Sequence, residues 1–258
     1  MKRFWRAATV VQADGLYSIH LDARPMRLPG GPVLAVAQRG LADAIAAEWQ
    51  VAGGDVGGSI DYAQVPLTRL AGTAQMRVAP NPTATITALA RYAETDCLCY
   101  RAATPEVLAR RQQAAWDPWL DWAAVRFGGR LVTTDGVVAV AQPAEALAAL
   151  RDAVAAHDAF GLAGLGILVP AYGSLVLGLA VAEGALSAAA ALDISVLEEL
   201  FQEEMWGEDP DGLARRAHVL RDVEDAARFL GVAAQLGGGT YDYDGPSTPQ
   251  GPACYPRY

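Results

Sequence analysis

The chain has 258 residues, of which 52% are hydrophobic and 19% are charged, a composition typical of a folded globular protein rather than a disordered one. Its net charge of −9 repels phosphate backbones, so nucleic acid is not an expected partner. Lys2 is the one lysine, which excludes a Walker-type phosphate loop, because that motif requires a lysine after its last glycine.

The N-terminal region predicts a β-hairpin. Tyr17, Ile19 and Leu21 alternate with polar residues, which is the period of a half-buried strand. The sequence Q-A-D-G at 12–15 predicts a tight turn that leads back to an earlier strand within 4–11.

A helix is expected after the hairpin, over residues 38–51. Leu41, Ile45 and Trp49 recur at a spacing of four, so they share one face of this helix. Pro66 suits the first position of a second helix, because a helix leaves that backbone N–H without a partner in any case.

Most of the remaining chain also predicts helices. New helices are expected to begin at Thr104–Pro105 and again at Asp117–Pro118, where a capping residue precedes proline. A short extended hairpin is expected within 129–143, and helices then resume from Pro143 to near Gln235.

The stretch from Phe160 to Ala182 has no charged residue, and it is long enough to span a bilayer. Pro170 lies in the middle of it, several glycines weaken a continuous helix, and no Lys/Arg cluster flanks either end. We therefore expect two buried core helices broken near Pro170, and no stable membrane insertion.

Three cysteines do not form a disulfide framework, so a reducing compartment is expected. Cys97 and Cys99 form a C-x-C pair, but on the predicted helix their thiols would point about 200° apart, with Cys97 in the apolar stripe. The pattern favours core cysteines over a metal site. The histidines are isolated, and no cofactor is predicted.

An acidic segment stands out at 198–212, where seven carboxylates in fifteen residues are interleaved with Leu200, Phe201, Met205 and Trp206. Ser195 followed by Glu198 predicts a capping box, and Gly207 predicts the end of the helix.

Helical geometry separates these acids. At about 100° per residue, Glu204 falls within the apolar stripe, whereas Glu199 and Glu203 fall on the opposite, solvated face. Glu204 is therefore expected to be partly buried, unless the stripe faces outward.

Three interpretations of Glu204 remain open. It could pair with an internal arginine such as Arg215 or Arg91, since a buried carboxylate needs a partner. It could be the polar anchor of a partner-binding surface. A carboxylate pair could also serve a hydrolase, although such spacing is unspecific.

Several motifs together resemble a known family, the assembly chaperones that attend the alpha subunit of F-type ATP synthase. The resemblance extends from Lys2 to about Leu236 and is carried by these stretches: KRFW at 2–5, HLDARP at 20–25, LADAIAAEW at 41–49, VPLTRLAGTA at 65–74, YAETDCLCYRA at 92–102, WDPWLDWAAVRFG at 116–128, GSLVLGLAV at 173–181 and FQEEMWGED at 201–209.

The resemblance implies an α+β fold, with a small β-containing N-terminal domain followed by a mainly helical orthogonal bundle. We expect these domains over 1–82 and 83–236, and a disordered tail over 237–258. The resemblance also implies that the protein holds the unassembled alpha subunit until it joins the beta subunit, without nucleotide or cofactor.

The expected partner-binding residues are Glu204, Trp206, Asp209 and Glu203, with Trp49 as a further candidate. A core role is favoured for Trp49, because it lies in the apolar stripe of its helix. The family motif begins at Lys2 with no presequence ahead of it, so a bacterial cytoplasmic protein is expected, or a mitochondrial matrix protein if the chain is a processed eukaryotic form.

Overall fold

A computed structural model describes residues 1–136 and 138–234. It begins with the predicted hairpin, in which β1 (Ala8–Ala13) and β2 (Leu16–Leu21) pair antiparallel. The turn places Asp14 at φ 51° and Gly15 at φ 77°, which is the left-handed backbone of a two-residue hairpin turn. The short strands β3 (Arg24–Pro25) and β4 (Ala35–Val36) both pair with β2.

The first helix, α1 (Arg39–Val51), covers one face of this sheet. Leu41, Ile45 and Trp49 are buried against it, together with Ile19 and Leu21 of β2. Apolar residues were predicted to repeat every second residue in the strand and about every 3.6 residues in the helix. Both predictions are confirmed, because the two apolar faces pack on each other.

A buried carboxylate joins α1 to the second helix, α2 (Pro66–Thr73). Glu48 Oε1 accepts a hydrogen bond from the Leu67 N–H at 2.7 Å, and Oε2 accepts from the Thr68 N–H and Oγ1, each at 3.1 Å. These donors lie in the first turn of α2, where a helix lacks internal acceptors. Burial raises the pKa of Glu48 above its usual range.

The segment after α3 (Pro82–Ala90) is not the continuous helix that the apolar stripe predicted. It divides into 3₁₀ turns at Arg91–Thr95 and Cys97–Cys99, separated by the fully buried Asp96. Cys97 was expected to face the core and Cys99 to point away from it. This is wrong, because Cys99 is fully buried and Cys97 only partly, although both lie against the core.

Asp96 ties this break to a distant helix. Its Oδ1 accepts from the Leu98 N–H at 3.1 Å, and its Oδ2 accepts from Ser174 Oγ at 3.0 Å and the Val176 N–H at 3.1 Å. The carboxylate therefore occupies the first turn of α7 (Leu175–Ala182). Burial raises the pKa of Asp96 to about 6.

Helix α4 (Glu106–Phe127) runs without interruption through Pro118, so the predicted restart there is wrong. Trp116, Leu120 and Trp122 are buried on either side of the proline, and this packing offsets the one backbone hydrogen bond that proline removes. The helix also begins at Glu106, one residue later than expected.

The hairpin expected within 129–143 is absent from the described residues of that stretch. They contain only β6 (Thr134–Asp135), which pairs in parallel with β5 (Tyr100–Arg101). Helix α5 (Ala144–Ala155) follows. An extended piece is thus present where the hairpin was expected, but its partner strand comes from a different part of the chain.

The uncharged segment forms two buried helices, as predicted. Helix α6 (Ala159–Tyr172) contains Pro170, and the break falls at Gly173, whose φ of 62° ends the helix before α7. A Cβ on Gly178 would stand 2.5 Å from Val169 Cγ2, so glycine permits the close contact of α6 and α7. Among the described helices, none combines the length and the hydropathy that a membrane span requires.

Three further helices complete the bundle: α8 (Ala188–Ser195), α9 (Leu197–Trp206) and α10 (Pro210–Ala233). The predicted capping box is wrong, because Ser195 ends α8 and its Oγ donates to the Leu192 carbonyl instead. Helix α10 packs along α6, and buried side chains from Trp5 to Leu230 form one continuous core. The domain division near residue 82 stays a proposal, and the predicted tail at 237–258 lies outside the described residues.

Asp96 makes stability depend on pH. Because its folded pKa lies near 6, above its ordinary value of 3.8, the native state binds more protons than the unfolded state between about pH 4 and 6. The free energy of unfolding should therefore fall as pH rises through this range, and Asp96→Asn should lose this contribution to the slope.

The same variant should be less stable at pH 7 by about 1–3 kcal/mol, because an amide nitrogen would face donors that now bond to an oxygen. Urea unfolding at several pH values checks both effects, with the exposed Asp152→Asn as control. An unchanged pH slope in Asp96→Asn would contradict this account.

Trp49 should behave as a core residue. Its indole Nε1 donates to Thr68 Oγ1 at 2.8 Å, and its ring lies 5.2 Å from that of Trp5. Trp49→Ala should cost about 3–5 kcal/mol of unfolding free energy, and Trp49→Phe clearly less, since the ring volume is largely kept. Thermal and urea unfolding give both values; an alanine variant as stable as the wild type would place Trp49 outside the core.

Candidate functional site

The acidic segment forms the surface around the C-terminus of α9. Only Phe201 of this helix is buried, and it packs beneath the Arg111 guanidinium of α4, whose carbon lies 5.2 Å from the ring centre. The same Arg111 donates from Nη1 to Glu204 Oε2 at 2.6 Å. One arginine therefore contacts both the buried and the exposed side of the helix.

Glu204 is not buried, contrary to the helical-wheel prediction. Its side chain is 55% exposed, and its partner is Arg111 rather than Arg215 or Arg91. Helix α9 packs on α4 and α8, and its last turn extends beyond Phe201 into solvent. The stripe is therefore inward in the first turns of α9 and outward at its end.

The more enclosed acid is Glu203, which the wheel had placed on the solvated face. It forms a bidentate ion pair with Arg216 of α10, accepting from Nη1 at Oε1 (2.7 Å) and from Nη2 at Oε2 (2.6 Å). These bonds raise the pKa of Arg216 above its usual range. Glu199 accepts from Arg215 Nη2 at 2.8 Å, so both acids pair with α10, although Glu199 remains 45% exposed.

Exposed apolar side chains lie at the end of α9 and on the two helices that are ion-paired to it. Met205 is 64% exposed and Trp206 is 81% exposed. Val107 lies one turn before Arg111 on α4, and Leu213 lies one turn before Arg216 on α10; both are also exposed. We call Val107, Met205, Trp206 and Leu213 the apolar tip. Large exposed side chains grouped in this way are typical of a protein-binding surface.

The chain turns sharply beside the tip. Gly207 ends α9 at φ 95°, a backbone conformation that favours glycine, and its N–H donates to the Glu203 carbonyl. Asp209 then caps α10, accepting from the N–H groups of Asp211 and Gly212 at 3.2 and 3.1 Å. Asp209 is exposed, but its carboxylate already has this structural role.

The structure brings together four of the five predicted residues. Glu203, Glu204, Trp206 and Asp209 lie at the tip or beside it, whereas Trp49 is buried between α1 and α2. Sequence reasoning missed Arg111, Val107 and Leu213. Their spacing on α4 and α10 carried no signal of its own, since only the fold places these helices beside α9.

A different pair of acids lies in one groove, which bears on the hydrolase alternative. Glu48 and Asp225 line an open groove of about 340 Å³ together with Arg228, and burial raises the pKa of both acids. Both oxygens of Glu48 are engaged by α2, however, so this acid serves as a helix cap. Among the described residues, no group of three His, Cys, Asp or Glu side chains could hold a metal ion.

An exposed apolar tip among carboxylates is typical of a protein that binds other proteins. The comparisons place this α+β chain in a class of chaperones. Residues 2–124 match the family model described as ATP12 chaperone protein. The structure is similar to the crystal structure of Atp12 from Paracoccus denitrificans, at a TM-score of 0.85 and 41% identity, covering 90% of this chain and 98% of that chain.

A mutant of the Paracoccus protein has the same TM-score and identity, with 97% of its chain covered. The Atu1473 protein of Agrobacterium tumefaciens, a proposed chaperone, is 36% identical at a TM-score of 0.84, with 90% of this chain and 85% of that chain covered. The chain belongs to the ATP12 family, which confirms the family of ATP synthase assembly chaperones that its sequence motifs resembled.

The two tip glutamates should differ in their contribution to stability. Glu203→Ala leaves the enclosed Arg216 without its bidentate partner and should lower the free energy of unfolding by about 1–2 kcal/mol. Glu204→Ala removes an exposed ion pair and should cost below about 1 kcal/mol. Urea unfolding of both variants checks the order, and a larger loss in Glu204→Ala would contradict the exposed position of this pair.

Proposed function

We propose that this chain binds the unassembled alpha subunit of F-type ATP synthase and covers the surface that will later face the beta subunit. An orphan subunit exposes apolar surface that is meant for its neighbour, and such surface promotes aggregation. A chaperone that covers it keeps the subunit available for assembly.

The observation that carries the proposal is the apolar tip. Trp206 and Met205 project from the end of a helix whose other side is anchored by Phe201 and by ion pairs to α4 and α10. The side chains are thus presented on a supported surface, which lowers the entropy cost of binding. Tryptophan is also among the residues that contribute most to binding energy at protein interfaces.

Charge supports the same partner class. Glu208 and Asp211, which follow the tip in the chain, are exposed, and the chain as a whole carries a net charge of −9. Basic groups left unpaired on the alpha subunit would be attracted to this surface, which favours orientation and fast association more than affinity. A modest interface of this kind permits release when the beta subunit arrives.

The proposed activity is binding and needs neither catalysis nor a nucleotide, metal or cofactor. The bacterial origin of the similar structures favours the bacterial cytoplasm as the place where the alpha subunit is held. The runner-up function, a hydrolase with a carboxylate pair, would require a free second acid near Asp225, and Glu48 is already engaged there.

Co-purification tests the proposal. The chain is co-expressed with the alpha subunit, without the beta subunit, and the soluble complex is isolated through a tag on the chain. Trp206→Ser should reduce the recovered alpha subunit at least about tenfold, as expected for an interface anchor. Val125→Ser is the matched control, because Val125 is 89% exposed but lies about 21 Å along α4 from Arg111.

Two outcomes would overturn the proposal. If the wild-type chain neither binds the alpha subunit nor keeps it soluble, the function is wrong. If Trp206→Ser and Val125→Ser behave alike while wild-type binding is intact, the tip is not the binding surface. Glu204→Ala is expected to remain folded, so any loss of binding in that variant reports on the surface itself.

A further inference from the structure

Strand β1 is an open edge of the N-terminal sheet. Within the described residues, the sheet order is β1-β2-β3, with β4 also paired to β2, so β1 has one neighbouring strand only. A sheet edge of this kind presents backbone N–H and C=O groups that another extended chain can pair with.

The register shows which groups are presented. The Asp22 N–H donates to the Ala7 carbonyl, so residue 7 and every second residue after it, Thr9 and Val11 among them, direct their backbone groups toward β2. Val10 and Gln12 therefore direct theirs away from the sheet. No hydrogen bond among the described residues engages these outward groups of Val10 and Gln12.

The start of the same edge is already occupied. Ala8 also points outward, and its N–H donates to Gln50 Oε1 at 2.8 Å. Gln50 in turn donates from Nε2 to the Arg6 carbonyl at 3.2 Å. One glutamine side chain thus covers the first part of the edge, and the open portion begins at Val10.

The open portion lacks the usual protection of edge strands. Natural sheets shield an edge with lysine, proline, inward charges or a bulge. The strand sequence A-T-V-V-Q-A has no charge and no proline, and its pairing with β2 is regular over all six residues. Val11 and the neighbouring Leu16 are exposed beside it.

We propose that the edge of β1 from Val10 to Gln12 binds an extended, uncharged segment of the unassembled alpha subunit as an added strand. The inference rests on the proposed function, and it adds a second contact to the apolar tip. Incompletely assembled proteins expose unpaired strands as well as apolar surface, so a holding protein gains by covering both.

A second copy of this chain fits the edge less well. Antiparallel self-pairing centred on Val10 would place Gln12 opposite Ala8 of the second copy, where the Ala8 N–H is already bonded to Gln50. A contact limited to six residues is also far smaller than the roughly 1,200 Å² that a stable interface buries. A segment of the alpha subunit does not need so large an interface at β1. If the subunit is already bound at the apolar tip, that contact raises the effective concentration of the segment at the strand edge.

Hydrogen exchange on the full chain tests the inference. Amide exchange is measured for the chain alone and for its complex with purified alpha subunit, and the peptide that covers β1 is compared. The amides of Val10 and Gln12 should exchange at least about tenfold more slowly in the complex, as expected for newly formed strand hydrogen bonds.

Val10→Pro provides the matching variant. Proline removes the outward N–H but leaves the bonds of Thr9 and Val11 to β2, because proline is tolerated where an edge N–H faces solvent. It should weaken alpha-subunit binding about tenfold, whereas Val10→Thr, which keeps the N–H, should not. Circular dichroism and thermal unfolding check that both variants fold.

The outcomes separate the two proposals. Alpha subunit that binds without slowing exchange at β1 overturns the strand inference and leaves the proposed function intact. Equal binding by Val10→Thr and a folded Val10→Pro overturns the strand inference in the same way. A chain that fails to bind the alpha subunit overturns both, and slowed exchange in the chain alone at rising concentration assigns the edge to a second copy instead.

Discussion

The fully buried carboxylate of Asp96 is the contact on which the arrangement of the helices depends. It interrupts the helical segment after α3 by accepting the Leu98 N–H. It also accepts hydrogen bonds from the first turn of α7, which lies some eighty residues later. The following residue, Cys97, donates its N–H to the Gly173 carbonyl at 3.0 Å, so the break and the α6–α7 corner are held as one unit. Because the charged form has been taken out of water, this contact persists only while every donor around it stays in place.

The position of the candidate site follows from that unit. Arg101 extends from β5 just after Asp96, donates to Asp117 at 2.6 Å and lies 5.1 Å from the ring centre of Trp116. Trp116 in turn donates from Nε1 to the Ile194 carbonyl of α8 at 2.9 Å. Helix α4 is thereby fixed against the helix that leads into α9, and this brings Arg111 to Glu204. The apolar tip is exposed, but its orientation is set by contacts between α4 and α8, the two helices on which α9 packs.

Sequence reasoning predicted features that depend on one helix or strand, and it failed for features that depend on contacts between two of them. The hairpin, the apolar face of α1 and the proline at the start of α2 follow from local periods and local backbone chemistry, and all were predicted correctly. Asp117–Pro118 was expected to begin a new helix by its local chemistry, but the packing of Trp116 and Trp122 around the proline outweighs one lost hydrogen bond. The helical wheel gave the angles of α9 but not the elements around it, so the roles of Glu203 and Glu204 were interchanged.

The sequence by itself determined the fold class, the family and the segment that carries the candidate site, because amphipathic periods and a series of ordered motifs are properties of the chain alone. The tertiary structure alone decided which acids are paired, which apolar side chains remain exposed and which strand edge stays open. The physical reason is that burial and ion pairing depend on contacts between two helices or strands, and not on the sequence of either one alone. Arg111 and Gln50 lie far along the chain from the groups they engage, and Arg216 lies on the helix that follows its partner. Only the packing of helices and sheet brings these groups within hydrogen-bonding distance.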